Sequence, residues 1–223
     1  MLHSLRNLTL SRINNVEYLE KESHCGGAMR RFPSLQTLKI EYFPRLERFS
    51  RDNERELLPN LTKLTVSDCY KLHRCHSLVS LRTLDTWHCN EDLLDSVSYL
   101  STLTSPVLGY LDEVTSFPHG MLQNLTALQK SQILHLTSLQ RLMIRQFLEL
   151  AALPDTVEHL ISLRDLCLDG LDKLKILPDV GMVHFSALQY QKIVGCPSLA
   201  SLPKVIRKPD ITTSFKNLGL PKS

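Results

Sequence analysis

One hydrophobic template recurs along this chain and constrains its fold more than any other feature. Apolar residues occupy positions 1, 4, 6, 9, 12 and 15 of the template, which is often closed by proline. The copy that begins at Leu163 has leucine at all six positions before Pro178. Self-similarity at periods of 20–50 residues is the signature of a solenoid of stacked units. Eight copies begin at residues 5, 35, 61, 81, 103, 139, 163 and 188.

The spacing of the template predicts the local structure of each repeat. Positions 4 and 6 are two residues apart, so their side chains point to one face of a strand while positions 3, 5 and 7 point to the other. Stacked repeats then form a continuous core with a parallel sheet along one side. The connecting segments lack long helical periodicity, which predicts a mostly irregular opposite side with short helical turns.

Three segments depart from the template. A partial copy near 125–138, carried by Leu125, Leu128 and Ile133, predicts a bulge or distorted turn there. The segments 20–31 and 51–56 interrupt the repeat and are expected to be surface loops.

Composition narrows the class of protein further. Leucine accounts for 44 of the 223 residues, with 22% charged residues, which excludes a disordered chain, a collagen-like chain and a small disulfide scaffold. No apolar run approaches the roughly 18 residues of a membrane span, and residues 1–10 do not resemble a secretory signal. A net charge of +3 does not favour binding to nucleic acid or membranes. The six cysteines contain no CxxC pair, so we expect reduced, mostly buried thiols in the cytoplasm or nucleus.

The template is the L-x-x-L-x-L-x-x-[N/C]-x-x-L pattern of leucine-rich repeats. Within it, Phe32-Pro-Ser-Leu-Gln-Thr-Leu-Lys-Ile40, Leu136-Thr-Ser-Leu-Gln-Arg-Leu-Met-Ile144 and Gly195-Cys-Pro-Ser-Leu199 closely resemble the repeats of plant nucleotide-binding leucine-rich-repeat disease-resistance proteins of the coiled-coil class. The resemblance covers residues 1–203 and implies an α/β solenoid, a curved horseshoe with its parallel sheet on the concave face. Residues 204–223 are expected to be a C-terminal cap with a basic tail.

The resemblance implies a role in plant intracellular immunity. In such receptors the repeat domain binds pathogen effectors or host proteins and restrains the nucleotide-binding domain. No GxxxxGK[ST] phosphate loop occurs, so no nucleotide or other cofactor is expected here. The first repeat begins four residues after Met1, which suggests a truncated gene product or a domain fragment. Two alternatives stay open: a stand-alone adaptor of a ubiquitin ligase, which would need an F-box-like segment that is not seen, and a decayed receptor paralogue that folds poorly.

The outward positions 3, 5, 7 and 8 of each repeat are the predicted partner-binding surface. Tryptophan, tyrosine and arginine, which are enriched at binding hot spots, occur among them. The alternative for Trp87 is that it fills space beside the short repeat. The candidate residues are Lys39, Tyr42, Lys63, Asp85, Trp87, His88, Tyr110, Arg141, Arg145, Asp165, Asp169, Tyr190 and Lys192.

Cysteine and histidine cluster between residues 69 and 89, where sulfur and imidazole ligands suggest a zinc site. The spacing matches no usual zinc pattern, and Cys69, Cys75 and Cys89 occupy inward positions, so buried structural thiols are expected instead. Cys69 and Cys89 could stack closely enough for a disulfide, which a reducing compartment disfavours. Cys167 is expected to face outward beside Asp165 and Asp169, whose charges would raise its pKa, so the chain is not expected to be an enzyme.

Overall fold

The chain divides into two compact units, which we call unit 1 (Met1–Leu103) and unit 2 (Thr104–Ser223). The loops predicted at 20–31 and 51–56 and the partial repeat at 125–138 lie outside the part of the chain that can be described. The computed structural model describes residues 4–19, 32–50, 58–75, 78–97, 99–111, 114–117, 139–154, 157, 160–177, 185–202 and, by backbone alone, 212–218.

The described residues of unit 1 form four short parallel strands and one helix. Each strand covers positions 3 to 7 of its repeat, and neighbouring strands pair in template register, so that Leu38 lies opposite Leu64 and Leu64 opposite Leu84. Strand order follows the sequence. The elements are β1 (Asn7–Ser11), β2 (Thr37–Glu41), β3 (Lys63–Ser67), β4 (Thr83–Trp87) and α1 (Asp92–Val97).

The described residues of unit 2 form five parallel strands in sequence order. The last strand lies in the segment expected to be a cap with a basic tail, and it pairs with its predecessor although it lacks the template. The parallel pairing and the repeat register predicted from the sequence are confirmed. The strands are β5 (Ser105–Gly109), β6 (Arg141–Arg145), β7 (Asp165–Asp169), β8 (Tyr190–Cys196) and β9 (Thr212–Leu218).

Position 8, just after positions 3 to 7, adopts the left-handed backbone conformation in all eight repeats. Glycine tolerates this conformation, whereas other residues adopt it at a cost of roughly 1 kcal/mol. The position-8 N–H donates to the position-7 carbonyl of the next repeat, as from Tyr42 to Ser67 at 2.9 Å, and this hydrogen bond helps to offset the cost. The residues are Arg12, Tyr42, Asp68, His88, Tyr110 and Gln146, followed by Gly170 and Gly195.

The core is formed by the inward template positions. Leu61, Leu64 and Leu166, for example, are buried, whereas the first repeat is only half-buried and Ile13 is exposed. A further core position, three residues before position 1, was not recognised in the sequence. Its residue accepts a turn hydrogen bond from position 1, and it is filled by Leu58, Leu78, Leu100, Leu160 and Phe185.

The segments after each strand are turns, as predicted. The N–H of position 12 donates to the carbonyl of position 9, as from Leu72 to Cys69. A second, very short parallel ladder follows at positions 13 and 14 and links Arg48 to Arg74 in unit 1. The six-residue helix α1 is a short helical element in the segment that follows β4. Across the described ranges, no helix has the length and apolar character needed to cross a bilayer.

Candidate protein-binding surface

The strands bury the side chains on one face and leave those on the other face half-buried or exposed. The less buried face is the candidate site. We call positions 3, 5, 7 and 8 of the repeats the open face. In β3, Leu64 and Val66 point into the core, while Lys63 is exposed and Thr65 is half-buried. The alternation predicted from the template is therefore present, and the candidate residues lie on the open face. Their role in binding stays a prediction.

In unit 1 the open face carries a network of polar contacts across strands. Lys63 Nζ lies 3.7 Å from Asp85 Oδ2 on the next strand, and Thr65 donates to the same oxygen at 3.5 Å. Burial raises the pKa of the Asp85 carboxyl, although Lys63 and Thr65 act to lower it. Lys39 pairs with Glu41 at 2.7 Å on its own strand. Asp85 and Lys63 are thus brought together by the sheet.

Trp87 and His88 lie at the end of β4, beside Asp68, the position-8 residue of the preceding repeat. Trp87 is half-buried, so it points to the open face without standing fully in solvent. His88 Nδ1 lies 3.2 Å from Asp68 Oδ1, in the repeat before. Tyr42 and Tyr110, also at position 8, are exposed. The left-handed turn directs these side chains outward where strand alternation alone would have directed them into the core.

In unit 2 the open face carries two ion pairs between β6 and β7. Arg141 Nε contacts Asp165 Oδ2 at 2.9 Å, and Arg145 contacts Asp169 Oδ2 at 3.1 Å. Lys192 on β8 lies 3.8 Å from the same Asp169 oxygen. The two arginine–aspartate pairs each join the same template position in adjacent repeats, which is why the sheet register brings them together. These pairs are partly exposed, so each contributes about 0–1 kcal/mol to stability.

An apolar column runs between the two ion pairs, at position 5. Val107, Met143 and Cys167 are register neighbours on β5, β6 and β7, and Lys192 follows on β8. Tyr190, which begins β8 and occupies position 3 of its repeat, is half-buried and pairs in register with Asp165. The open face of unit 2 therefore has a non-polar centre with charged groups on both sides.

Cys167 corrects one expectation. It belongs to the open face by register, as predicted, but it is only 3% exposed. Its pKa is raised mainly by burial, with Asp169 adding to the shift while Lys192 and Arg145 oppose it. The predicted direction of the shift is confirmed, but its main cause is burial between the register neighbours Met143 and Lys192 rather than the charge of the flanking aspartates. The thiol therefore stays protonated at neutral pH.

The cysteines at inward positions are buried, as predicted. Burial raises the pKa of Cys69 and Cys75 to about 11 and that of Cys89 to about 12. Position 9 meets the backbone where the chain leaves the strand: Cys69 Sγ donates to Ser67 O, and Cys196 Sγ to Val194 O. Among the described cysteines, Cys69, Cys75, Cys89, Cys167 and Cys196 are free thiols. His76 and Cys25 lie outside the described ranges.

A metal centre receives no support from the described side chains, which contain no group of three or more histidine, cysteine, aspartate or glutamate residues placed to hold an ion.

Two surface features were missed by reading only positions 3 to 8. Tyr70, at position 10, is 54% exposed and its hydroxyl donates to Asp68 Oδ1 at 3.3 Å. Lys173 and Glu149 form an ion pair of 2.6 Å between position 11 of adjacent repeats. The ion pair could have been predicted from the sequence, because Glu149 and Lys173 have opposite charges and occupy the same template position in consecutive repeats.

Comparison with known proteins finds similar folds among solved structures but no similar sequence family. No family model matches the sequence, and no curated protein matches it. The leucine-rich-repeat domain of the type III effector XopL is 16% identical over 82% of this chain and 77% of its own, with a TM-score of 0.50. Human 5T4 is 20% identical over 97% of this chain and 71% of its own, with a TM-score of 0.54.

A third solved structure, TLR13 in complex with single-stranded RNA, is 15% identical over 99% of this chain and only 40% of its own, with a TM-score of 0.53. At such identities the likeness concerns the fold alone. The similar structures are leucine-rich-repeat proteins. Together with the parallel strands in template register, they show that this chain has the leucine-rich-repeat solenoid fold.

Proposed function

We propose that this chain is a protein-recognition module of plant intracellular immunity. It binds a pathogen effector or a host protein, or restrains the nucleotide-binding domain of a longer receptor, and it does so without catalysis. The fold supports a protein-interaction module, and the motifs at 32–40, 136–144 and 195–199, which resemble plant disease-resistance receptors, support the immune role.

The contrast between the two faces of each strand carries the proposal. Inward positions hold leucine or a similar residue in repeat after repeat, whereas position 3 of the open face is Lys63 in one repeat, Arg141 in another and Asp165 in a third. A rigid sheet that displays varied side chains over several repeats provides a large contact surface with little conformational entropy to lose. Trp87 is half-buried on the open face, and tryptophan is among the residue types most enriched at binding hot spots.

Binding to nucleic acid is less well supported, although one similar structure is a complex with RNA. Arg141, Arg145 and Lys192 each lie within 4 Å of an aspartate oxygen, so the charge of this surface is largely compensated. Phosphate recognition needs a net basic surface. Thiol catalysis is disfavoured because the pKa of each described cysteine is raised, and the protonated thiol is a poor nucleophile.

Affinity capture from plant leaf extract, with and without co-expressed pathogen effectors, tests this function. The bait is the full chain, compared with a triple open-face variant, Lys63→Ala, Trp87→Ala and Arg141→Ala. The matched control replaces three exposed residues on the turns, Lys71→Ala, Lys173→Ala and Ile176→Ala.

We expect an effector, a host protein or a nucleotide-binding domain to be retained by the wild type and the control and lost by the open-face variant. Both variants should first be shown to melt close to the wild-type temperature. A partner set that is the same for both variants would contradict recognition through the open face.

A further inference from the structure

We propose that the carboxylate of Asp68 is a recognition site for a basic side chain, arginine or lysine, presented by a protein partner. Asp68 is framed by Tyr42, Tyr70 and His88, and we call these four residues the Asp68 cluster. The inference rests on the proposed function and deepens it, because it names the chemistry that one part of the unit 1 surface would recognise.

The sheet positions the cluster. Tyr42, Asp68 and His88 occupy position 8 of three consecutive repeats, at φ of 57°, 55° and 49°. The Tyr42 N–H donates to Ser67 O at 2.9 Å and the Asp68 N–H to Trp87 O at 3.0 Å, which fixes each residue to the strand beside it. Parallel strands lie about 4.8 Å apart, so the three side chains form a short row at the ends of β2, β3 and β4.

Within the described part of the chain, the contacts of Asp68 with Tyr70 and His88 both involve Oδ1, one of its two oxygens. The Tyr70 hydroxyl donates to Oδ1 at 3.3 Å, and His88 Nδ1 lies 3.2 Å from the same atom. The Asp68 side chain is 37% exposed, so Oδ2 can accept hydrogen bonds from a partner. Tyr42 is 47% exposed and Tyr70 is 54% exposed, so the Tyr70 ring stands at the surface next to the carboxylate and Tyr42 lies exposed at the equivalent position of the preceding repeat.

Asp68 differs from the other open-face carboxylates in its partners. Glu41, Asp85, Asp165 and Asp169 each lie within 4 Å of a lysine or arginine. The contacts of Asp68 are instead made with a phenol hydroxyl and an imidazole, which is uncharged unless protonated. The negative charge of this carboxylate is therefore less compensated than that of the other four.

The electrostatics of the neighbouring groups agree with this geometry. The pKa of the Tyr70 phenol is raised, first by desolvation and then by the negative charge of Asp68. Asp68 also contributes to the raised pKa of Cys69 and of Cys89. Among the described residues, no cationic group acts to lower the pKa of Tyr70.

An exposed carboxylate beside aromatic rings is complementary to a cation. A guanidinium or ammonium group can donate to Oδ2 in a charge-assisted hydrogen bond and lie against a phenol ring at the same time. Arginine fits both contacts better because its planar fork donates two hydrogen bonds and stacks on rings.

NMR titration of the full chain tests the site with three capped tripeptides: acetyl-Gly-Arg-Gly-amide, its lysine counterpart and its citrulline counterpart, which has nearly the shape of arginine without the charge. We expect saturable shifts of the tyrosine ring signals with the arginine and lysine peptides, with dissociation constants on the order of 1–10 mM. The citrulline peptide should not bind measurably.

Asp68→Asn is the decisive variant, because asparagine tolerates a positive φ as well as aspartate and the fold should be retained. This substitution should raise the dissociation constant of the arginine peptide about fivefold or more. Glu17→Gln, which removes an exposed charge elsewhere in unit 1, should leave that dissociation constant unchanged. Equal binding of the citrulline peptide, equal binding by Asp68→Asn, or no saturable shift up to about 50 mM peptide would overturn the inference.

The two proposals fail separately. If the tripeptides do not bind but a protein is captured through the open face, only the Asp68 site is rejected. If the tripeptides bind as expected but capture does not depend on the open face, the proposed function is rejected and the cation site remains.

Discussion

The side-chain amide of Gln146 lies directly over the α-carbon of Gly170, its counterpart at position 8 of the next repeat. A β-carbon built on Gly170 would overlap the amide group of Gln146. Gly170 also has a φ of 68°, where other residues are strained. Glycine at this position therefore serves two purposes, the left-handed turn and the space for its neighbour.

Gly170→Ala should lower the free energy of unfolding by about 1–2 kcal/mol, because alanine is strained at this φ and displaces the Gln146 amide. Urea unfolding measures the change. In a Gln146→Ala background the overlap is absent and only the backbone cost remains, so the same substitution should cost less there. Equal costs in both backgrounds would show that the overlap contributes nothing.

Gln191→Leu should raise the free energy of unfolding by about 1–3 kcal/mol. Gln191 occupies template position 4, is fully buried, and its amide nitrogen and oxygen have no hydrogen-bond partner within the described part of the chain. Leucine fills the equivalent position in the neighbouring repeat, at Leu166. Gln189→Leu, on an exposed side chain nearby, is the control and should change stability little. A less stable Gln191→Leu protein would mean that the amide has a partner.

Leu166→Ala should cost about 2–5 kcal/mol, because a buried leucine at a core position leaves a cavity when truncated. Leu8→Ala, at the same position of the half-buried first repeat, should cost clearly less. Gln36→Ala is exposed and contributes to the ladder through its backbone carbonyl, so it should be nearly neutral. Thermal melts of the three variants rank these costs, and a neutral Leu166→Ala would invalidate the template register.

Alkaline pH should destabilise the protein through its buried thiols. Folding raises the pKa of Cys75 from 9.0 to about 11 and that of Cys89 from 9.0 to about 12. The raised pKa contributes stability that is fully present below pH 9 and is lost as the pH rises toward 11–12, because the unfolded chain releases these protons first. Each thiol adds a slope of at most about 1.4 kcal/mol per pH unit.

Urea unfolding at a series of pH values from 8 to about 11 measures this loss. Cys89→Ala should reduce the slope relative to the wild type, since one titrating thiol is removed. Identical slopes for the two proteins would show that the Cys89 thiol is not shielded from solvent.

The strands and their register could be predicted because one physical term decides them. Burying the leucines of positions 4 and 6 fixes which face of each strand points inward, and equal spacing in adjacent repeats fixes the pairing of Leu142 with Leu166. The ion pair of Arg141 and Asp165 follows from this register, since both residues occupy position 3.

Other features depend on neighbours that the template does not specify. Tyr42 and Tyr110 are bulky residues that rarely adopt a left-handed turn, so their conformation follows from the ladder hydrogen bonds to Ser67 O and Arg145 O rather than from local preference. Cys167 is buried on the open face because it lies in register between Met143 and Lys192, which alternation alone does not reveal. Strand β9 has no leucine template and depends on pairing with β8.

The central claim is that the open face binds a protein, and the affinity of the captured partner for the Trp87→Ala chain tests it most directly. Isothermal titration calorimetry should show binding weakened about tenfold or more relative to the wild type, because Trp87 is half-buried on the open face and tryptophan is among the residue types most enriched at hot spots. Ile176→Ala, which removes an exposed hydrophobic side chain on the turns, should bind like the wild type. Unchanged affinity for Trp87→Ala together with weakened binding by Ile176→Ala would contradict the account and place the interface on the other side of the repeats.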